Sequence, residues 1–570
     1  MKAWYQMAKR ADFNAIADKF NISPVLARLI RNRDVIEDED IELYLNGTID
    51  DLYDGMLIKD MDKAVDVIKE KIENGEKIRI LGDYDSDGVN ATYILLKGIE
   101  GLGGNVDADI PDRIKDGYGL NINLIDKALR DNIDTIITCD NGIAAYEEIL
   151  YAKEKGMSVV VTDHHEVPFI EENGKIDYIL PPADAVIDIQ RKDCTYPFKG
   201  ICGAAVAYKL IEALYEVLGR DSKEIQFLIE NVAIATITDV MLLTNENRIF
   251  VKEGLKRLSS TSNPGLKALI ELTKIPADHI TPYHIGFVLG PCINASGRLE
   301  TAKKALELFM AKNEAEAYSL AEELVSLNDV RKDMTEKWVD YAVDEIESSS
   351  MKQDKVMVVY LPDCHESIAG IIAGRIRERY YRPTFVLTKG EELVKGSGRS
   401  IDNYNMFEEM NKCKELFVKF GGHKLAAGLS LEEDNVDIFR KKINDEGTLL
   451  EKDFIEKVHF DMTLPFGHIT ERLIEEFENL EPCGNGNIRA LFAEKNVSIL
   501  SSRIVGRNKN VVKLRLKDSF GTALDGVYFG DADKFVEDTR NRSSIAIMFY
   551  PDINEYMGTT SIQLVVKDYK

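Results

Sequence analysis

The chain has 570 residues, of which 45% are hydrophobic and 30% are charged, and this composition excludes disordered, collagen-like and coiled-coil classes. At about 150 residues per domain, the length predicts three to four domains with cores of their own. The 98 acidic and 72 basic residues give a net charge of −26, so a nucleic-acid substrate is compatible only with positive charge concentrated along one path.

The first 70 or so residues predict helices, and ISPVLARLIRNR has the clearest apolar pattern at helical spacing. This region lacks the apolar core and small-residue cleavage site of a signal peptide. No apolar run in the chain approaches the roughly 18–20 residues of a membrane helix. Seven cysteines without a CxxC pair argue against a disulfide framework and a zinc ribbon. We therefore expect a cytoplasmic protein without membrane association.

From Lys77 the pattern changes to short β-rich runs that alternate with helical stretches. IRIL, TIIT and VVVT predict strands of a buried parallel sheet built from βαβ units. The stretches 204–218 and 227–243 predict helices. Between Gly297 and Pro362 neither glycine nor proline occurs, and one or two long helices are expected there.

A second α/β pattern follows, with VMVVYL, the helix IAGIIAGRIRER and TFVLT, and it ends in the glycine-rich FGGHKLAAGLS. The last 110 or so residues contain five or six short strands separated by turn residues. This spacing fits a small antiparallel barrel such as an OB fold.

The strongest local motif is LGDYDSDGVNATYILLKGI, in which an apolar strand is followed by Asp83, Asp85, Asp87 and then a helix. Alternation at a strand end would point the three carboxylates to one side. Such crowding of like charges is costly unless the carboxylates share a cation. The alternative is an acidic turn in which an aspartate caps the helix.

Two further strand ends carry residues of metal-ligand type. Asp140 follows TIIT in TCDNGIAA, and VVVTDHHEVP places Asp163, His164 and His165 after the next strand. Parallel sheets bind ligands at the carboxyl ends of their strands, so we expect these side chains to meet. A histidine pair alone is more often structural, but three acidic strand ends together predict a metal site. Carboxylates with a single imidazole suit Mn²⁺ or Mg²⁺.

The motifs DYDSDG, IPDRIKDGYG, CDNG, TDHH, ATITDVMLL and INASGR, in this order and spacing, resemble those of the DHH phosphoesterase superfamily. The later GSGRS and FGGHKLAAG resemble its companion DHHA1 domain. With SPVLARLIRNR, DMDKA and the barrel-like tail, nearly the whole chain is similar to the RecJ family of single-strand-specific 5′→3′ exonucleases.

The resemblance implies an α/β fold, in which a DHH parallel-sheet domain and a DHHA1 α/β domain are joined by a long helix and followed by a C-terminal OB-like β-barrel. The implied division is a helical region 1–70, a DHH domain 71–300, a helical connector 301–350, a DHHA1 domain 351–450 and a barrel 451–570.

The resemblance also implies a centre of two ions, Mn²⁺ or Mg²⁺. The implied metal ligands are Asp85 on one ion, Asp87, His164 and Asp239 on the other, and Asp140 as the bridge. The implied catalytic residues are Asp83, Asp163 and His165, which support the ligands or contact the scissile phosphate. Some family members have a histidine where this chain has Leu81, so the first ion is expected to have fewer protein ligands.

Arginines in short glycine-rich loops predict phosphate contacts, because a guanidinium meets phosphate bidentately and glycine lets the backbone approach. Arg113 and Arg298 are assigned to such loops, although a single arginine is more often a solvated surface residue. The phosphate- and nucleic-acid-binding residues assigned from the family motifs are Arg113, Arg298, Ser397, Arg399, Gly421, Gly422 and His423. His365 in DCHESIAG is added because it stands at the first strand-to-helix turn of the second α/β pattern, where it is expected to face the cleft. The alternative for His365 is a structural role, either next to a helix N-cap or as a buried polar residue.

The activity that the resemblance implies is metal-dependent hydrolysis of single-stranded DNA from the 5′ end to 5′-mononucleotides, in DNA repair and recombination. A single-strand-binding protein and a helicase are the implied partners. Two other functions stay open, a DHH phosphodiesterase on short oligonucleotides or cyclic dinucleotides, and a non-catalytic nucleic-acid-binding scaffold. The basic residues of the barrel predict either a DNA-tracking groove or a structural edge, and they are Arg503, Arg507, Lys509, Lys513 and Arg515.

Overall fold

The computed structural model describes residues 2–113, 119–172, 175–506, 509–556 and 558–570. Within these residues no helix is both long and apolar enough to cross a membrane. Residues 114–118 of the IPDRIKDGYG motif and the basic residue Arg507 lie outside the described ranges.

The chain begins with a short strand before its first helices. The elements of this region are β1 (Lys2–Gln6), α1 (Phe13–Phe20), α2 (Pro24–Asn32), α3 (Asp38–Asn46) and α4 (Met61–Asn74). Helix α2 starts at the N-cap Ser23, whose hydroxyl accepts from the amide of Leu26, with proline in the first turn. The helical prediction for this region was therefore right for 13–74, but it missed β1.

A parallel sheet follows, as the βαβ pattern predicts. Its strands lie in the order β3, β2, β4, β5, β8, and all of the neighbouring pairs are parallel. The elements are β2 (Lys77–Gly82), α5 (Ser86–Gly101), β3 (Asn105–Asp109), α6 (Ile122–Arg130), β4 (Thr135–Cys139), α7 (Tyr146–Glu154), β5 (Ser158–Asp163), β6 (Phe169–Glu172), β7 (Lys175–Tyr178) and β8 (Ala185–Asp188). Strands β6 and β7 form a separate antiparallel hairpin. The predicted strands of the parallel sheet are confirmed.

Helices then pack over the sheet and lead into a long connecting helix. They are α8 (Gly203–Val217), α9 (Ile229–Thr238), α10 (Asn245–Leu258), α11 (Pro264–Leu272), α12 (Pro282–His284), α13 (Gly290–Leu299), α14 (Lys303–Met310) and α15 (Glu314–Ser348). A π-helical turn over Ile285–Leu289 joins α12 to α13. The helix predicted over 227–243 ends at Thr238, because Val240 adopts a left-handed backbone conformation with φ of 58°.

The second α/β unit contains a mixed sheet in the order β12, β13, β11, β10, β9. Only β9 and β10 pair in parallel, and the remaining pairs are antiparallel. The elements are β9 (Met357–Tyr360), α16 (Ala369–Tyr380), β10 (Thr384–Lys389), β11 (Val394–Arg399), α17 (Met406–Asn411), β12 (Phe417–Gly422), β13 (Ala426–Leu431) and α18 (Val436–Asp445).

The last part of the chain forms the predicted barrel-like sheet, in the order β15, β16, β17, β18, β20, β19, and pairing of β16 with β19 closes it. The sheet is not wholly antiparallel as predicted, because β15 pairs with β16 and β18 pairs with β20 in parallel. The elements are β14 (Glu456–Phe460), β15 (Met462–Thr463), α19 (Glu471–Glu476), β16 (Phe492–Val505), β17 (Val511–Lys517), β18 (Ala523–Phe529), α20 (Ala532–Thr539), β19 (Ile545–Tyr556) and β20 (Thr559–Tyr569).

The barrel shares its hydrophobic core with the start of the chain. Leu26, Leu29 and Ile30 of α2 are buried in one cluster with Phe492 and Phe549 of the barrel. Strand β1 pairs in parallel with β14. The sequence did not predict this union of the first and last segments, because the residues that meet are hundreds of positions apart.

Candidate metal centre and phosphate cleft

Three neighbouring strands of the parallel sheet end in acidic residues. Asp83 follows β2, Asp140 follows β4, and Asp163 is the last residue of β5. Each of these carboxylates is at most 2% exposed. The carboxyl edge of the sheet therefore gathers the acidic motifs, as predicted.

The DYDSDG motif is a turn and a helix start rather than a continued strand. Strand β2 ends at Gly82, and Asp85 is the N-cap of α5, where its carboxylate accepts from the amides of Asp87 (3.0 Å) and Gly88 (3.2 Å). The prediction of three alternating strand residues was wrong, and the capping alternative describes Asp85 correctly. The aspartates still converge, because the tight turn brings Asp85 within ligand distance of Asp83 and Asp140.

Asp87 is held by the beginning of another helix. Its two oxygens accept from the amides of Gly203 (2.7 Å) and Ala204 (2.8 Å) in the first turn of α8. A helix N-terminus favours negative charge, so this contact offsets part of the cost of burying the carboxylate. A Cβ atom at residue 203 would lie 2.8 Å from the Cβ of Asp140, and glycine is therefore required for this approach.

His164 lies among the carboxylates of the predicted second metal site. Its Nε2 is 3.0 Å from Asp140 Oδ1, 3.5 Å from Asp87 Oδ2 and 3.9 Å from Asp239 Oδ2. Asp239 reaches this position as the C-cap of α9. Three groups of ligand atoms within 4.8 Å of one another result, namely Asp83–Asp85–Asp140, Asp87–His164–Asp239 and Asp140–His164–His165.

The electrostatics of this cluster favour a bound cation. Burial, and then the Asp85 charge, raise the pKa of Asp83 to about 8. Burial followed by the charges of Asp87 and Asp85 raises the pKa of Asp239 to about 8, and burial with four neighbouring aspartates raises that of Asp140 well above its usual value. Within the described residues, Asp83 Oδ1 is buried without a hydrogen-bond partner. Divalent ions with oxygen and imidazole ligands relieve both features, and the donor set fits Mn²⁺ or Mg²⁺.

Asp163 orients His165 instead of facing the ligand groups. Its Oδ1 accepts from His165 Nδ1 (2.7 Å), and its Oδ2 accepts from the amide of Ile143 (2.9 Å). Burial alone would raise the pKa of Asp163, but the hydrogen bond and charge of His165 lower it. Burial opposes the charged imidazole, yet the Asp163 hydrogen bond and charge raise the pKa of His165 to about 9.

Arg298 lies in the last turn of α13, so its assignment to a glycine-rich loop was wrong. Its Nη1 donates to the carbonyl of Ser367 (2.8 Å), which links the parallel-sheet region to the second α/β unit.

Burial, and then the charges of Arg113 and Arg331, lower the pKa of Arg298 to about 10. Burial followed by the charges of Arg377 and Arg113 also lowers the pKa of Arg399. Guanidiniums from both α/β units thus repel one another across a cleft, and a phosphate would relieve the repulsion.

Strand pairing in the second α/β unit joins its two glycine-rich motifs. Ser397 of β11 pairs with Gly428 of β13, which pairs on its other side with Gly421 of β12. Arg399 lies two residues beyond Ser397 and on the same face of β11. The structure therefore places the GSGRS and FGGHKLAAG motifs in adjacent strands.

Three predicted residues occupy more peripheral positions of this unit. Gly422 ends β12 with φ of 150°, and His423 follows as an exposed residue whose Nδ1 accepts from the Leu425 amide (3.3 Å). His365 caps the short helix 366–368, with its Nδ1 2.7 Å from the Ser367 hydroxyl. The capping role of His365 is therefore present. The Ser367 carbonyl also accepts the bond from Arg298, so His365 lies two residues from this contact between the two units.

The three regions of the chain match separate family models. Their descriptions are DHH family, N-terminal domain, for residues 77–238, DHHA1 domain for 353–446, and RecJ OB domain for 460–568. The single-stranded-DNA-specific exonuclease RecJ of Bacillus subtilis is 36% identical over 558 residues, which cover 97% of this chain and 69% of that protein. The chain belongs to the RecJ family. The RecJ exonuclease of Escherichia coli is 31% identical over 588 residues, which cover 99% of both chains.

Solved structures of RecJ proteins have the same fold. The RecJ of Thermus thermophilus in complex with Mn²⁺ superposes with a TM-score of 0.83 at 26% identity, over 100% of this chain and 79% of that one. The complex of the same protein with Mg²⁺ gives a TM-score of 0.78 at 25% identity, over 100% and 78% of the two chains. The predicted DHH, DHHA1 and OB-like architecture is confirmed.

Two residues near the acidic cluster escaped the sequence reasoning. Asp188 ends β8 beside Asp163, is fully buried, and has a pKa raised to about 8 by burial and then by the Asp163 charge. Its motif, AVID, repeats the pattern of an apolar strand with a terminal acid, so a fourth strand end could have been identified. Asn294 of α13 accepts from the Ser86 amide (2.9 Å) at the start of α5, and no sequence signal predicts that contact.

Three of the basic residues of the barrel, Arg503, Lys513 and Arg515, are exposed on the β16–β17 ladder, and Lys509 lies in the connection between these strands. Arg503 pairs with Lys513, and Ser501 pairs with Arg515. Arg515 is bound to Asp525 of β18 by an ion pair of 2.8 Å, so part of this charge is neutralised locally. The remaining exposed cations leave both interpretations of the barrel open.

Proposed function

We propose that this chain is a metal-dependent exonuclease that hydrolyses single-stranded DNA from its 5′ end and releases 5′-mononucleotides. The observation that supports this most is the pair of ligand groups, Asp83–Asp85–Asp140 and Asp87–His164–Asp239, beside a cleft lined by arginines from both α/β units. Family membership supports the same activity, since the relatives are named for it.

We assign Asp85 and Asp140, supported by Asp83, to one Mn²⁺ or Mg²⁺ ion, and Asp87, Asp140, His164 and Asp239 to the other. When bound, two such ions would activate water for attack on phosphorus and stabilise the charge on the leaving oxygen. The chain fixes this geometry through the amides of α8, which hold Asp87, and the turn after β2, which holds Asp85.

The remaining assigned residues bind and orient the DNA. His165, fixed by Asp163, lies 3.9 Å from Asp140 and is placed to contact the scissile phosphate. Arg113, Ser397 and Arg399 would hold the terminal 5′-phosphate, with Arg298 bridging the two units and His365 at the rim. Gly421 and Gly422 of β12 would border the DNA, and His423 directly after this strand would lie near the scissile region. A fixed 5′-phosphate next to the scissile bond accounts for both the polarity and the mononucleotide product.

The proposal also covers the domain organisation, strand selectivity, compartment and partners of the enzyme. We propose domain boundaries at residues 70, 300, 350 and 450. We also propose that the enzyme selects single strands because its cleft is too narrow for duplex DNA. The seven cysteines are all free thiols, which supports a reducing cytoplasmic compartment. A helicase and a single-strand-binding protein are proposed as partners in repair and recombination, since the substrate must first be opened and kept single-stranded.

The experiment compares 5′-phosphorylated single-stranded DNA, the matched duplex and a dinucleotide, each with Mn²⁺. We expect stepwise loss of the long single strand from its 5′ end, little hydrolysis of the duplex, and loss of activity in Asp140→Asn. Asp344→Asn on the exposed face of α15 is the control that should retain activity.

Two results would contradict the proposal. Cleavage of the dinucleotide alone would assign the chain to phosphodiesterases of short oligonucleotides. DNA binding without hydrolysis of any substrate would favour the scaffold function.

A further inference from the structure

The ligand Asp239 is followed by a short segment that its own helix holds only at the beginning. The Val240 amide donates to the Ile237 carbonyl (3.2 Å) and the Met241 amide donates to the Thr236 carbonyl (3.0 Å). Helix α9 ends at Thr238, and Val240 has φ of 58°, in the left-handed region that a β-branched residue rarely occupies. The Val240 side chain is 64% exposed, so its own packing does little to hold this backbone. Strained conformations persist only where the surrounding structure fixes them.

One residue from the far end of the chain fixes both ends of this segment. The Asn485 side-chain amide donates to the Val240 carbonyl (2.6 Å), and the Asn485 carbonyl accepts from the Leu243 amide (2.7 Å). The two bonds span residues 240–243 and begin directly after the metal ligand. Asn485 itself belongs to the turn 481–487 that precedes the barrel.

The turn 481–487 is itself firmly anchored. Asn487 is fully buried, and its amide donates to the carbonyls of Leu480 (2.6 Å) and Pro482 (2.8 Å). The Tyr44 hydroxyl donates to Asn487 Oδ1 (2.8 Å), and Arg248 donates to the Leu480 carbonyl (3.0 Å). Contacts from α3 and α10 thus hold the turn from two sides.

Close packing adds to the hydrogen bonds of Asn485. A Cβ atom at Gly484 would lie 2.6 Å from Leu243 Cδ1, so a larger residue there would require the Leu243 side chain to shift. The turn therefore packs directly against the 240–243 segment at Leu243.

We infer that Asn485 is a positioning residue for the metal centre, which holds Asp239 in the orientation needed to bind the second ion. This inference rests on the proposed function, in which Asp239 is a ligand. It gives the segment before the barrel a role in metal binding that is separate from any contact between the barrel and DNA.

The test measures Mn²⁺ binding to the full-length protein by electron paramagnetic resonance of the free ion, together with the Mn²⁺ dependence of hydrolysis. Outer partners of metal ligands typically contribute about 10- to 100-fold to metal affinity. For Asn485→Ala and Asn485→Asp we expect one of the two ions to bind about tenfold more weakly, with kcat recovering at saturating Mn²⁺ and an unchanged KM for DNA. Lys513→Ala on the barrel surface is the control, and its Mn²⁺ affinity should equal that of the wild type.

Asp239→Ala separates failure of this inference from failure of the proposed function. Wild-type Mn²⁺ affinity at both sites in the two Asn485 variants, with one ion lost in Asp239→Ala, would overturn the positioning role alone. Identical Mn²⁺ binding by Asp239→Ala and the wild type would overturn the ligand assignment. The Asn485 side chain is exposed, and unfolding temperatures near that of the wild type would exclude global misfolding of its variants.

Discussion

Asp461→Ala should loosen helix α2 from the barrel, because this carboxylate joins the two. Asp461 is 1% exposed, and its Oδ1 accepts from Asn32 Nδ2 (3.0 Å) and lies 3.4 Å from Arg33 Nη1. Its Oδ2 accepts from the amide of Leu491 next to the barrel strand β16 (3.0 Å). The substitution removes all three contacts and leaves the Arg33 guanidinium buried beside an apolar side chain.

The magnitude follows from the burial of the remaining charge. The Arg33 side chain is only 2% exposed, and removing one partner of such a buried pair costs about 3–5 kcal/mol. If α2 exchanges its amide hydrogens by separating from the barrel, this loss accelerates exchange by roughly 150- to 5,000-fold.

Hydrogen exchange of peptides covering 24–32, followed by mass spectrometry, measures this effect directly. Asp568→Ala is the matched control, since it removes only the 2.6 Å bond from Trp4 Nε1 at a partly exposed position, worth about 0.5–1.5 kcal/mol. Acceleration of α2 exchange by less than about tenfold in Asp461→Ala, or equal effects of the two substitutions, would refute the reasoning. Replacing Arg33 and Asp461 together by apolar residues should cost less than Asp461→Ala alone.

Three further predictions concern the cleft and the strand ends. Arg399→Ala should lower kcat/KM on 5′-phosphorylated DNA by about 10- to 150-fold, which corresponds to the free energy of a hydrogen bond to a charged group. An equal loss of kcat/KM on 5′-hydroxyl DNA would argue against a phosphate contact. Burial disfavours the charged imidazole of His165, but the Asp163 hydrogen bond and charge raise the pKa of His165 to about 9. In metal-free protein, the resulting stabilisation of the fold is complete below the ordinary pKa of histidine, and it is lost as the pH rises through about 9. Asp163→Asn should therefore lower the midpoint of the ring titration followed by histidine NMR, and an unchanged midpoint would contradict the pairing. Burial and then the Asp163 charge raise the pKa of Asp188 to about 8, which is above pH 7. Asp188→Asn should therefore shift the unfolding temperature at pH 7 by less than about 3 °C. A larger decrease would show that the Asp188 carboxyl is ionised at this pH.

Local patterns predicted the convergence of the acidic residues well. Asp83, Asp140 and Asp163 each follow an apolar run, and the geometry of parallel strands alone brings such residues to one edge. The assignment of strands and of the long helix likewise depended on periodicity within short windows. Roles such as metal ligation by Asp85 stay predictions, because they depend on ions as well as on the chain.

Contacts between distant segments escaped prediction for a physical reason. Arg298 follows two glycines and a proline within ten residues, which locally favour a loop, but packing of α13 against the start of α5 stabilises a helix. The bond from Asn485 to Val240 depends on a turn that lies 245 residues away in the chain. In both cases, neither of the two contacting segments has a sequence pattern that indicates its contact with the other.

The shared core of α2 and the barrel has a consequence during protein synthesis. Asn32 and its partner Asp461 are 429 positions apart, which at about 5–20 residues per second separates their emergence from the ribosome by roughly 20–90 s. During that interval the apolar face of α2 has no barrel to cover it, although the parallel-sheet region can already fold. A nascent chain at this stage is therefore expected to expose a binding surface for chaperones, which disappears once the last strands are released.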